Sequence, residues 1–163
     1  NDGDWALGLT PEHCDARTEA IAADFEAFAS QAGQAIFADA ARPDLQALAD
    51  WSGREFARND PAAIAAVWRS LEQHDVRPLL ARIPHPTMVA HGALSPLYGD
   101  GTAAHLAAAL ANAFVVRFER SGHAPHLEEP DLFNARVRDF AQRLTAAPVP
   151  AASAAIRLPG EET

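Results

Sequence analysis

Apolar positions recur at helical spacing through the first half of the chain, and in the second half they gather into short unbroken runs separated by helical stretches. Between Asp15 and Ala32, Ile21, Phe25, Phe28 and Ala32 fall on one face with acidic residues around them, which predicts one helix that Gly33 kinks or ends. A second helix is expected from Asp44, as N-cap after Pro43, through Leu45, Leu48, Trp51 and Phe56. The third has sharper punctuation. In Asn59-Asp60-Pro61 the Asp60 carboxylate can accept from the first turn, and Pro61 stands where a missing N–H costs nothing; Ile64, Val67, Trp68 and Leu71 then form a stripe.

After a short apolar helix over Val76–Ile83 the grammar changes. Pro84 and Pro86 bracket the entry to Thr87-Met88-Val89-Ala90, a continuous apolar run of the kind expected of a parallel strand covered on both faces. A helix at 102–111, a strand at Phe114–Phe118 and a final helix opened by Pro130, with Phe133, Val137, Phe140 and Leu144 on one face, complete the pattern. Strand, helix, strand, helix argues for an α/β class with a parallel pair. Two strands leave edges that need further partners, so the fold reads as partial. The segment 1–11 carries no period and reads as an entry loop, and 146–163 is an Ala/Pro-rich tail expected to be disordered.

Composition narrows the partners. The 163 residues hold 13 Lys+Arg against 22 Asp+Glu, a net charge of −9, which disfavours nucleic acid and an anionic membrane surface because both are held by clustered cations. At 48% hydrophobic and 21% charged residues the chain can build a core. Cys14 is the only cysteine, which excludes an internal disulfide and any cysteine-based zinc cage; a cytoplasmic compartment is the default expectation. Neither a membrane-length apolar run nor the basic start of a signal peptide is found.

Candidate chemistry concentrates in Ser121-Gly122-His123-Ala124-Pro125-His126-Leu127-Glu128-Glu129-Pro130, between the second strand and the last helix. The carboxyl ends of parallel strands are where open α/β sheets place their chemistry. Imidazole exchanges a proton near neutral pH, and Gly122 is expected to free the backbone angles of the turn.

This stretch and Ile83-Pro84-His85-Pro86-Thr87-Met88-Val89-Ala90-His91-Gly92 together resemble the end of an α/β-hydrolase, from about Pro78 to Leu144, with the preceding helices resembling that family's cap. The resemblance divides the chain into a helical cap at 12–75 and the carboxyl-terminal part of the core at 76–145. It implies His123 as the general base, no cofactor and no metal, and hydrolysis of a small ester-like acyl substrate by a serine. No Gly-x-Ser-x-Gly elbow surrounds Ser30, Ser52, Ser70, Ser95, Ser121 or Ser153, so the nucleophile is expected in an amino-terminal half upstream of Asn1, with which this portion would have to partner. His91-Gly92 follows the wrong strand to be the oxyanion segment. Many relatives carry an Asp three residues after the glycine that follows this strand, where this chain has Ser95; the acid is expected upstream, with Asp100 as the alternative and Asp2 or Asp4 behind it.

Plainer readings stand beside these. His126 is expected to serve the loop, Glu128 and Glu129 to begin or cap the last helix, and Trp5, Trp51 and Trp68 to fill the cap core, while Leu97 and Tyr98 are candidates for pocket lining. His13, His74, His85, His91 and His105 have no metal-ligand spacing. A non-catalytic module that keeps the fold and binds a ligand is the competing function class. A chain released by proteolysis, or encoded by a split gene, is a further possibility.

Overall fold

The computed structural model describes residues 10–146, which form eight helices and a two-stranded parallel sheet. The expected entry loop and tail therefore lie largely outside the described residues.

The first half is a helical block of α1 (Pro11–Ala23), α2 (Phe25–Ala35), α3 (Pro43–Ala57) and α4 (Pro61–Gln73). The single helix expected over 15–32 is two. Asp24 adopts an extended conformation, its N–H donating to the Ala20 carbonyl at the end of α1 and its carboxylate accepting from Ala27 N at 2.9 Å to start α2. An N-cap aspartate inside a continuous apolar period thus overrides the period. Gly33 does not end α2; it lies buried inside it, where a Cβ would strike the Gly53 backbone of α3. Both glycines are spacing residues at a close helix crossing. Pro43, not Asp44, opens α3, and Asp44 sits in its first turn paired with Arg42 at 2.6 Å. Asp60 caps α4 as expected, accepting from Ala62 N at 2.8 Å.

The second half runs α5 (Arg77–Leu80), β1 (Thr87–Gly92), α6 (Asp100–Ala109), β2 (Ala113–Phe118), α7 (Pro125–Glu128) and α8 (Pro130–Ala146). The strands pair in parallel, with Thr87 beside Ala113 and Gly92 beside Phe118. The sequence reading had no counterpart to α7, one short turn of helix between the histidine loop and α8. Alternation places Phe114 and Phe118 on one face of β2, where their rings meet Phe140 and Phe133 of α8 at 5.7 and 5.8 Å. Two-sided burial of the strands is not observed. Phe114 and Val115 are exposed, Met88 and Val89 are partly covered, and Val137 and Leu144 on α8 also remain exposed. Nor does Trp51 fill a helical core, since it is 46% exposed; Trp68 is half-buried, with Arg17 stacked 4.4 Å over its ring, and Trp5 lies outside the described residues.

The best-formed core sits between the two halves. Phe37, Leu45 and Ala49 from the helical block cluster with Ala124 of the histidine loop, with Ile36, Leu48 and Leu127 packed around them. Burial of these side chains supplies the hydrophobic term that fixes the loop against the helices.

Candidate functional site

The loop that carries His123 begins where β2 ends and is held from three directions. From β1, Ala93 N–H donates to the Phe118 carbonyl and Leu94 N–H to the Ser121 carbonyl, each at 2.9 Å. From the carboxyl side, the buried Glu129 carboxylate accepts from Ser121 Oγ at 2.6 Å and Arg120 N at 3.1 Å. Burial opposes its charge, but these bonds, with the nearby Arg120 guanidinium, hold its carboxyl below the ordinary range. From the helical block, His123 N–H donates to the Ile36 carbonyl at 2.7 Å, while the Glu128 carboxylate accepts from both Gly122 N at 2.6 Å and Ala38 N at 2.9 Å. Glu129 stands at the start of α8 as expected, its carbonyl accepting from Phe133 N–H at 2.9 Å, but the Glu128 and Glu129 carboxylates are not spent on that helix. Their side chains fold back onto the loop, because its N–H and O–H donors would otherwise have no partner.

Gly122 is required for space rather than for unusual backbone angles. A Cβ there would strike Ala38 N, and one at Gly92 would fall on the Gly122 carbonyl oxygen. The loop is sandwiched at backbone contact between β1 and segment 36–38.

His123 itself faces outward, exposed, with the Tyr98 ring 5.4 Å away. Among the described residues its imidazole makes no hydrogen bond. Partial desolvation, followed by the proximity of His126 and His91, pushes its pKa below the usual imidazole value. At neutral pH the ring is therefore neutral and able to accept a proton. His126 is also exposed and packs 5.9 Å from Phe133 on α8, away from any hydrogen-bond role seen here. Leu97 is exposed beside Tyr98.

The carboxylate candidates separate clearly. Parallel register sets His91 beside Arg117 at the ends of the two strands, and Asp100, at the start of α6, receives both: His91 Nε2–H at 2.8 Å and Arg117 Nε–H at 3.1 Å. Arg117 also pairs with Glu119. The Arg117 guanidinium, with His91, holds the Asp100 carboxyl below its ordinary value. Asp100 is thus committed to a strand-end network and makes no bond to His123. Ser95 turns its Oγ to Leu97 N and Tyr98 N, at 3.4 and 3.3 Å, as a turn residue does. Ser121 is buried on Glu129, and Asp2 and Asp4 lie outside the described residues. No group of three or more potential metal ligands is present among the described residues, and no helix there is long and apolar enough to cross a membrane.

Sequence reasoning missed the double role of Glu128, which joins positions 90 residues apart. The available signal was an acidic pair immediately after a glycine-histidine loop, which is equally compatible with a helix start.

A helical block leading into two parallel strands, with a glycine-histidine loop after the second, is the fold of part of an α/β-hydrolase. The solved structures most similar to the chain include an esterase from Exiguobacterium antarcticum, 21% identical with a TM-score of 0.79, the match covering 87% of this chain and 52% of that one. A hydrolase from Oleispira antarctica is 17% identical with a TM-score of 0.77, over 87% of this chain and 51% of that one. An enol-lactonase from Burkholderia xenovorans LB400 is 22% identical with a TM-score of 0.74, over 83% and 52%. The chain thus spans about half the length of the structures it matches. No family model matches it, and neither does any curated protein.

Proposed function

We propose that this chain is the carboxyl-terminal portion of an esterase-like acyl hydrolase, with α1–α4 as its cap and His123 as its general base. The observation that carries the reading is His123 itself: an outward-facing imidazole with no hydrogen bond among the described residues, on a loop held by hydrogen bonds from three sides at the carboxyl end of a parallel strand.

In this reading a serine Oγ from the preceding half attacks the acyl carbon while His123 takes its proton. The proton passes to the departing alkoxide; the same imidazole then takes a proton from water as that water attacks the acyl-enzyme, and gives it to the serine Oγ as the acid is released. Backbone N–H groups supply the oxyanion site, and no cofactor enters. The triad acid belongs upstream as well, because Asp100 is engaged by His91 and Arg117. The exposed residues of β2 and α8, beside a sheet of two strands among the described residues, support a companion half that would complete the sheet. A small ester-like molecule is the expected substrate, and the chain without its companion is expected to be inactive, since it has a base but neither nucleophile nor oxyanion hole.

A fluorophosphonate probe, which an activated serine attacks with loss of fluoride, tests the assignment on the complete protein. Labelling is expected on a serine upstream of this chain and lost in His123→Ala, with Asp100→Asn labelled at close to the native rate. Labelling of a serine within the chain, or labelling that survives His123→Ala, would overturn it.

A further inference from the structure

The contact between the helical block and the histidine loop is built from main chain, and one side chain joins its two sides. The Glu128 carboxylate is bidentate in an unusual sense: one oxygen accepts from Gly122 N at 2.6 Å, immediately before His123, and the other from Ala38 N at 2.9 Å, in the segment linking α2 to α3. A third bond, from His123 N to the Ile36 carbonyl at 2.7 Å, runs alongside, and the close approach of Gly122 to residues 37 and 38 leaves no slack between the strands of chain. Phe37 and Ala124, both buried, pack beneath the same junction. Hydrogen bonds from two N–H groups to one carboxylate are charge-assisted and directional, so moving segment 36–38 without moving the loop would leave a partly buried charge short of a donor.

We infer that Glu128 is a positioning residue that couples the placement of segment 36–38, and with it the helical block, to the placement of the His123 imidazole. The inference rests on the reading of His123 as the base for its catalytic consequence, though not for its structural content. Helix movement that breaks the Glu128 bridge would displace the imidazole, and a displacement of about 1 Å can cost on the order of a hundredfold in rate. Neither side chain of a base nor one that meets substrate, Glu128 would act through His123 alone.

The test uses the complete protein with Glu128→Gln, which preserves shape but can offer only one acceptor oxygen. Ile21→Ala, a truncation in the core of α1 remote from the loop, serves as a reference of comparable instability. Steady-state hydrolysis of p-nitrophenyl butyrate and amide hydrogen exchange at Ala38 and Gly122 are measured for each. The coupling predicts that Glu128→Gln lowers kcat roughly tenfold or more with KM within about twofold, and that exchange at Ala38 and Gly122 accelerates together; Ile21→Ala lowers the melting temperature with kcat retained. If Glu128→Gln does not fold, Glu128→Asp, one methylene short of spanning both donors, is read in the same way. Unchanged exchange at both amides, acceleration at only one, or a kcat loss matched by Ile21→Ala would overturn the inference. Its failure is separable from that of the base: activity that survives His123→Ala removes the proposed chemistry, whereas the exchange measurement decides the coupling without reference to turnover.

Discussion

The junction between the helical block and the histidine loop is a finished piece of structure, and the sheet beside it is not. At the junction Phe37, Leu45, Ala49 and Ala124 are almost fully enclosed, the loop donors have partners, and two glycines permit backbone contact. Among the described residues the sheet has two strands, and Phe114 and Val115 of β2 stand exposed with Val137 and Leu144 of α8. The same chain therefore satisfies its polar groups where segments 90 residues apart meet, while leaving apolar surface open where strands would ordinarily continue. A junction can thus be fully packed and hydrogen-bonded while the sheet beside it still presents open apolar surface among the described residues.

If the junction's purpose is to hold His123, losing the imidazole should have the largest effect. His123→Ala in the complete protein is expected to lower kcat by about a thousandfold or more with the fold retained, and His126→Ala to be mild. Equal losses in the two variants, by steady-state kinetics and circular dichroism, would mean that the loop as a whole and not one imidazole is at stake. The unfinished sheet predicts that the isolated 163-residue chain self-associates or melts without cooperativity. A monodisperse monomer with a sharp transition in sedimentation and calorimetry would break the contrast from the other side.

Packing at the junction makes a smaller but well-defined demand. Gly92→Ala places a methyl group on the Gly122 carbonyl and should cost about 3 kcal/mol by denaturant unfolding of the complete protein. A neutral result would show slack where the structure has none.

The smallest effect concerns protonation. The folded-state pKa of His123 lies below its ordinary 6.5, so the folded protein resists taking up that proton. Its contribution to stability is present above pH 6.5 and is lost as pH falls from there through the lower folded value. An NMR titration of the His123 ring in the complete protein, with the upstream triad carboxylate replaced by its amide, should show a midpoint below 6.5, and His126→Asn should move it upward. A midpoint at or above 6.5 in that variant would indicate a further anionic partner beside the ring.

Much of the architecture was legible in local order. Asp60-Pro61 marks a helix start by chemistry confined to one turn, and the apolar runs at Thr87–Ala90 and Phe114–Phe118 mark the strands because β-branched and aromatic side chains fit a pleated surface. The position of His123 directly after the second strand follows from the same order. Other features depended on partners distant in sequence. A carboxylate such as Glu128 has the same local signature whether it caps α8 or reaches Ala38, and its choice follows from which N–H groups the fold leaves unpaired nearby. Asp24 divided an apparently continuous helix because its cap outweighed the apolar period. Sequence context suggests conformational roles for Gly33 and Gly122, yet tertiary structure makes them spacers, since the backbone that excludes a Cβ belongs in each case to another element. Local propensity and spacing determined most of the helices and the parallel pair, and the family resemblance singled out the candidate base. Burial, close approach and the satisfaction of unpaired donors decided what holds that base in place, and those are properties of atoms brought together only when the chain folds.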